Sequence, residues 1–276
     1  MEFAWKVDQR SEVKLKDYDP DYIAKDVDHN IAAQELAKLS AELSDLQETL
    51  YEAQHHSVLI VLQGMDTSGK DGTIRHVMSH VNPQSCKVHS FKAPTQKELA
   101  HDFLWRVHKA TPSKGILGIF NRSHYEDVLV VRVHNLVPKD VWQERYERIN
   151  HFEQLLTSSG TILLKFFLHI SKDEQERRLL ARVQDKDKSW KTSASDWTER
   201  KYWQDYMEAF EDALSKCSTK EAPWYIIPAN HKWYRNLAVA HTVAQVMRKH
   251  KDEWRADLEV RGQQELEKLK QMHIIQ

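Results

Sequence analysis

The sequence predicts an α/β fold in which a parallel sheet is covered by helices on both faces. Three observations lead there. Apolar runs such as TILLKFFL (161–168) lack the polar alternation of a half-exposed strand, as expected of strands buried on both sides. These runs alternate with helical patterns along the chain. Residues 58–72, VLIVLQGMDTSGKDG, join an apolar run to a helix start through G-x-x-x-x-G-K, a strand–loop–helix unit.

Residues 1–30 are polar and are expected as an extended arm, which leaves 31–276 as a single domain. Residues 31–54 read as a helix in which Leu36, Leu39, Leu43, Leu46 and Leu50 form one apolar stripe, a docking face open to a subunit interface. Strands are expected at 57–63, 86–91, 116–120, 161–168 and 224–228. Helices are expected at 70–80, 95–110, 123–134, 138–158, 172–184, 197–217, 231–250 and 253–272. The polar stretch 185–196, DKDKSWKTSASD, reads as a loop or lid between two helices.

Composition narrows the function classes. A net charge of −1 supplies no global field for anions, so an anion site must be built locally. Two cysteines, Cys86 and Cys217, without paired spacing argue for a reducing compartment and against a thiolate zinc site. The polar N-terminus is no signal peptide, and no apolar run reaches membrane-spanning length, so cytoplasm and no membrane partner are expected. Sixteen histidines include no H-E-x-x-H, and His55, His56 and His124 are read as surface or capping residues.

The loop after the first long strand carries the chemistry. Glycines let backbone N–H groups curl toward phosphate oxygens, the following helix N-terminus adds partial positive charge, and Lys70 adds a full one. The candidate phosphate-binding set is Gly64, Thr67, Ser68, Gly69, Asp71 and Gly72. Asp71 stands where Ser or Thr normally holds a metal, and Asp66 lies inside the loop. A carboxylate among phosphates needs an intervening cation, which makes Asp66 a candidate Mg²⁺ ligand or base.

A second group follows GILGIF: Asn121, Arg122, Ser123, His124, Tyr125, Glu126 and Asp127. The C-terminal end of a parallel strand faces the ligand crevice. Arg122 there can fork onto phosphate, Asp127 is a second candidate metal ligand beside Asp66, and Glu126, Asn121 and Arg132 join the binding set. The plainer reading of Glu126 and Asp127 is complementation of a helix N-terminus. A third group, Arg177, Arg178 and Arg182 with Lys186, Lys188 and Lys191, puts two arginines on one helix face leading into the polar loop. That pattern fits a basic lid over about 177–196 that closes on phosphates, or else a solvated helix with salt bridges. Lys92, after the strand at 86–91, reaches toward the same crevice.

The segments GMDTSGKDGTIRHV (64–77), FKAPT (91–95), GIFNRSHYEDVLVVRVHNLVP (118–138) and ERRLLARVQDKDKSWK (176–191) together resemble the polyphosphate kinase 2 family over about residues 35–250. The form NRSHYEDVLV resembles the branch that phosphorylates both AMP and ADP. The resemblance implies a P-loop kinase-like three-layer α/β/α fold with a helical lid. It also implies Mg²⁺-dependent transfer, with Mn²⁺ as a substitute, between inorganic polyphosphate and adenine or guanine nucleotides, no nucleic-acid partner, and a homo-oligomer, often a tetramer. By position, Gly64, Asp66, Gly69 and Lys70 match the family's Walker A loop. Arg122, Glu126 and Asp127 match its second motif, and Arg178 and Arg182 its lid. Asn121 departs from the Asp that many relatives carry, which shifts metal binding onto Asp66 and Asp127. The residues assigned to catalysis are Asp66, Lys70, Arg122 and Asp127. Two other readings remain: an ATP-dependent nucleoside or nucleotide kinase of the thymidylate-kinase type, and a non-catalytic nucleotide-binding protein.

Overall fold

Six strands, β1 (Trp5–Lys6), β2 (Ser57–Gln63), β3 (Cys86–Ser90), β4 (Leu117–Asn121), β5 (Thr161–His169) and β6 (Trp224–Pro228), form one sheet in the order β1-β6-β5-β2-β4-β3. The computed structural model describes residues 3–184 and 194–274. Five strands run parallel; β1 alone is antiparallel, pairing Trp5 with Ile226. β2 is the axis of the sheet, buried at every residue between β4 and β5. Full burial on both faces explains why SVLIVLQ shows no alternation.

Helices cover the sheet. They are α1 (His29–Ala53), α2 (Lys70–Val77), α3 (Gln96–Leu99), α4 (Trp105–His108), α5 (Val130–Val133), α6 (Lys139–Ser158), α7 (Lys172–Gln184), α8 (Ala194–Glu199), α9 (Trp203–Lys216), α10 (Lys232–Arg248) and α11 (Lys251–Gln271). This is the α/β architecture the sequence predicts. The leucine stripe of α1 turns inward: Leu39, Leu43, Leu46 and Leu50 are buried, and α1 packs on α10 and α11 of the same chain. That stripe is core, not a surface for a partner.

Three expected helices are interrupted, each for a local reason. Within 95–110, Asp102 accepts the Leu104 N–H at 2.9 Å and starts a new turn, leaving the short α3 and α4. Within 123–134, Ser123 accepts the Tyr125 N–H at 3.2 Å and a 3₁₀ turn covers His124–Asp127. The run VLVVRV then forms only α5, after which Asn135 turns left-handed at φ 51°. Within 197–217, a 3₁₀ turn at Arg200–Tyr202 separates α8 from α9.

The N-terminal segment has little regular structure but is seated on the domain, with Val7, Val13, Leu15 and Ala24 in the common core. His55 and His56 are half-buried where α1 meets β2: Asp257 lies 2.5 Å from His55 Nδ1, and Trp254 Nε1–H donates to His56 Nδ1 at 3.1 Å. Among the described residues no helix is long and apolar enough to cross a membrane.

Candidate active site

The loop 64–69 leaves the end of β2 and enters α2. Its curvature needs positive φ at Gly64 (148°), Thr67 (66°) and Gly69 (102°). A Cβ on Gly64 would stand 2.7 Å from the Leu168 carbonyl, and one on Gly69 would overlap the Arg235 guanidinium. Lys70 is buried and donates to the carbonyls of Gly64 (2.8 Å) and Met65 (3.2 Å). Burial pulls its pKa down, opposed chiefly by Asp66. The hydroxyls of Thr67 and Ser68 are buried without a hydrogen-bond partner. Buried hydroxyls normally find a partner, so these two are donors available to an anion bound in the loop.

Helix α7 holds this loop from behind. Gln175 Nε2 donates to the Asp66 carbonyl at 3.1 Å, and Arg178 Nη1 to the carbonyls of Thr67 (2.9 Å) and Ser68 (3.1 Å). In a trans peptide, C=O and the next N–H point opposite ways. Carbonyls drawn back toward α7 therefore turn the N–H groups of Thr67 and Gly69 toward the open side. The Ser68 N–H closes a turn onto the Met65 carbonyl at 3.0 Å.

This corrects one expectation. Arg178 is not a lid residue holding substrate: its remaining donors reach Glu174 (2.5 Å) and the carbonyls of Ala229 (2.6 Å) and Asn230 (2.8 Å). With all its N–H groups engaged and little surface exposed, it is a strap for the phosphate loop. Arg182, by contrast, stays at the mouth, 3.5 Å from Asp196 of α8. Residues 185–193, with Lys186, Lys188 and Lys191 of the expected lid, lie outside the described residues.

The second loop leaves β4, the neighbour of β2. Arg122 takes a left-handed turn (φ 62°), and its Nη2 donates to Asp66 Oδ1 at 2.7 Å. Burial would lower its pKa, but Glu126 and Asp66 outweigh it and raise it. Asn121 donates to Asp71 Oδ1 at 2.6 Å. Glu126 is pushed up by burial and held back by Arg122 and Lys70, which places it in the same field as the phosphate loop.

Asp127 turns elsewhere. Arg145 of α6 donates to both its carboxylate and its carbonyl at 3.0 Å, and burial pushes its pKa up to about 6. Glu126, not Asp127, thus shares the crevice with Asp66. Arg132 bonds Asp212 (2.5 Å) and the Tyr146 hydroxyl (3.3 Å), away from the phosphate loop. The Lys92 side chain is exposed, while its carbonyl accepts from Arg106 at 2.7 Å.

A buried polar network sets the pose of the second loop. Lys165, fully buried in β5, donates to Glu153 (2.5 Å), the Tyr125 hydroxyl (3.0 Å) and the Cys217 carbonyl (2.5 Å). His124 Nε2 lies 3.1 Å from Glu153, and the Tyr125 hydroxyl donates to that carboxylate at 2.8 Å. His124 is therefore a core residue, contrary to its surface reading. With His124 and Tyr125 sunk into this network, Arg122 and Glu126 are left facing the crevice.

Comparison with known proteins settles the family. The polyphosphate kinase 2 family model matches residues 26–255. The chain belongs to the polyphosphate kinase 2 family. An AMP/ADP-polyphosphate phosphotransferase of Meiothermus ruber is 52% identical over 88% of this chain and 91% of its own length. An ADP-polyphosphate phosphotransferase of Rhodopseudomonas palustris is 47% identical over 83% and 82%. The crystal structure of polyphosphate kinase 2 from Arthrobacter aurescens TC1 superposes with a TM-score of 0.84 at 42% identity, covering 87% of each chain. The fold is thus that of this kinase family.

Sequence reasoning missed several residues that shape the site. Arg235 lies behind the phosphate loop, Arg145 holds Asp127, and Glu153 with Lys165 anchors the second loop. Lys165 left a signal, a lysine inside an otherwise apolar strand. The others depend on contacts far apart in the chain.

Proposed function

We propose that this protein transfers phosphoryl groups between inorganic polyphosphate and nucleotides, accepting both AMP and ADP. The observation that carries the reading is the Arg122–Asp66 contact at 2.7 Å. It brings the ends of β2 and β4 together, so that a guanidinium, a carboxylate and the buried Lys70 share one crevice. The NRSHYEDVLV motif and the Meiothermus ruber relative support the AMP and ADP subclass.

A terminal phosphate oxygen of the nucleotide attacks the end phosphoryl group of the chain in line; one P–O bond forms and one breaks. The nucleophile is already anionic, so the protein's work is alignment and charge neutralisation. Lys70 and the loop N–H groups stabilise the shortened polyphosphate as it leaves. Arg122 grips the acceptor phosphate, and Arg182 holds the chain at the mouth.

Asp66 fits a Mg²⁺ ion, or Mn²⁺ in its place: its side chain is 31% exposed at the loop's mouth, beside phosphate-facing donors. Such an ion supplies charge neutralisation between phosphates. Asp127 is the poorer candidate: its side chain is 15% exposed, and Arg145 holds both its carboxylate and its carbonyl away from the phosphate loop. The same balanced reaction runs in reverse when nucleoside triphosphate is in excess.

Purified protein with Mg²⁺ and AMP or ADP, with and without polyphosphate, tests the reading by chromatography of the products. ADP and ATP should form only with polyphosphate. Conversion of ADP but not AMP would remove the subclass. No conversion alongside transfer from ATP to a nucleoside would remove the reading itself.

A further inference from the structure

Arg235, in the first turn of α10, is a buried cation that pairs with no carboxylate among the described residues. It is 2% exposed and sits against the back of the phosphate loop. Nη1 donates to the Ser68 carbonyl at 3.2 Å, while Nε and Nη2 donate to Asn236 Oδ1 at 3.2 and 2.9 Å. Both acceptors are neutral. Glycine at 69 and 72 lets the guanidinium come this close: a Cβ on Gly69 would overlap it, and one on Gly72 would lie 3.2 Å from Nη2.

The neighbouring Arg178 makes the contrast. It too donates to the Ser68 carbonyl, but Glu174 lies 2.5 Å from it as counter-ion. Among the described residues no carboxylate pairs with Arg235. Burial and Arg178 both pull its pKa down, to about 10, and nothing pulls it up. A charge taken out of water without a partner lowers the stability of the free fold. One additional carbonyl contact does not require that charge, since a neutral amide also donates a hydrogen bond. The loop's open side is where a counter-charge belongs, and the ligand proposed for it is a polyanion.

We propose that Arg235 is a positioning residue that charges the phosphate loop from behind, fixing the Ser68 carbonyl and drawing polyphosphate onto the opposite face without touching it. The inference rests on the polyphosphate reading above. The charge that develops on the leaving chain is met by Lys70 and the loop N–H groups, whereas Arg235, one layer behind them, acts on the bound chain as a whole. Its loss therefore appears mainly in KM and less in kcat.

The test uses the full chain as wild type, Arg235→Met, Arg235→Gln and Arg235→Lys. Thermal unfolding is followed with and without inorganic tripolyphosphate, then steady-state kinetics with polyphosphate and ADP. Without ligand, the Met and Gln variants should melt no lower than wild type. At a fixed tripolyphosphate concentration, the upward shift seen in wild type should be clearly smaller in both and largely return in the Lys variant. KM for polyphosphate should rise on the order of tenfold in the neutral variants, with KM for ADP and kcat within a fewfold of wild type.

A tripolyphosphate shift in Arg235→Met equal to that of wild type, or an unchanged KM, overturns the proposal while leaving the polyphosphate reading intact. Failure of both neutral variants to fold would make Arg235 a structural residue and overturn it as well. A wild type that ignores tripolyphosphate and does not use polyphosphate overturns the functional reading, and this inference with it.

Discussion

The loops after β2 and β4 emerge side by side from adjacent strands, and each contains a non-glycine residue with positive φ, Thr67 and Arg122. They are anchored in opposite ways. The phosphate loop is drawn back by Gln175, Arg178 and Arg235, whose N–H groups hold its carbonyls, and Arg235 brings a charge that no carboxylate among the described residues cancels. The β4 loop is pinned by Lys165, Glu153, His124 and Tyr125, where the lysine and the glutamate cancel each other in the core. The first anchoring leaves net charge for a ligand. The second spends its charges on itself and supplies a fixed pose.

Substitutions on the two sides should therefore fail differently. Asp66→Asn, on the phosphate loop, should cut kcat on the order of 10²–10⁴-fold with the urea midpoint barely moved, since the change lies at a partly exposed site. Lys165→Met should do the reverse. It strands Glu153 in the core and costs about 3–5 kcal/mol by urea unfolding, while the molecules still folded keep near-normal kcat. Replacing Lys165 and Glu153 together with apolar residues should recover much of that loss. A Lys165→Met protein as stable as wild type would end the contrast.

Arg178 and Arg182, both on α7, sharpen it further. Arg178→Ala removes the strap and leaves Glu174 short of its buried partner, so both melting temperature and kcat should fall, and Lys should restore little because it lacks the fork. Arg182→Ala should leave the melting temperature unchanged and raise KM for polyphosphate about tenfold or more, the scale of one charge-assisted bond. Equal behaviour of the two variants in calorimetry and kinetics would return Arg178 to the lid.

The smallest effect concerns Asp127. Its pKa of about 6 in the fold lies above the ordinary 3.8, so folding favours the protonated form. That contribution is fully present below about pH 4 and is lost as pH rises through 6. Asn keeps the shape and has no proton to lose. Urea unfolding should therefore show Asp127→Asn gaining on wild type between pH 4.5 and 7. A constant difference across that window would mean Arg145 already neutralises the carboxylate.

The parallel strands were legible because burial on both faces writes itself as unbroken apolar runs, and the phosphate loop because its glycine spacing is dictated by backbone curvature. Helix continuity was less so. An Asp side chain at 102 and a Ser at 123 each capture a backbone N–H and break a helical pattern that periodicity alone would continue. Arg178 and Arg182 share a helical spacing, but only tertiary packing decides that one faces loop carbonyls and the other the mouth. Glu174, one turn before Arg178, was the available hint that this arginine already had a partner. Choosing between Glu126 and Asp127 required knowing that Arg145, from another helix, claims the latter.

The pairing of β1 with β6 joins Trp5 to Ile226, so an early segment of the chain is completed by one far downstream of it. During synthesis the N-terminal segment has no strand to add to until residue 226 has left the ribosome, and the outer edge of β6, when it forms, has no other neighbour in the sheet. An open strand edge is a template for another chain. The segment therefore acts as a tethered cap, already present at high local concentration when that edge appears. A chain lacking residues 1–28 should emerge with the edge bare and be caught by self-association in proportion to how fast it is made.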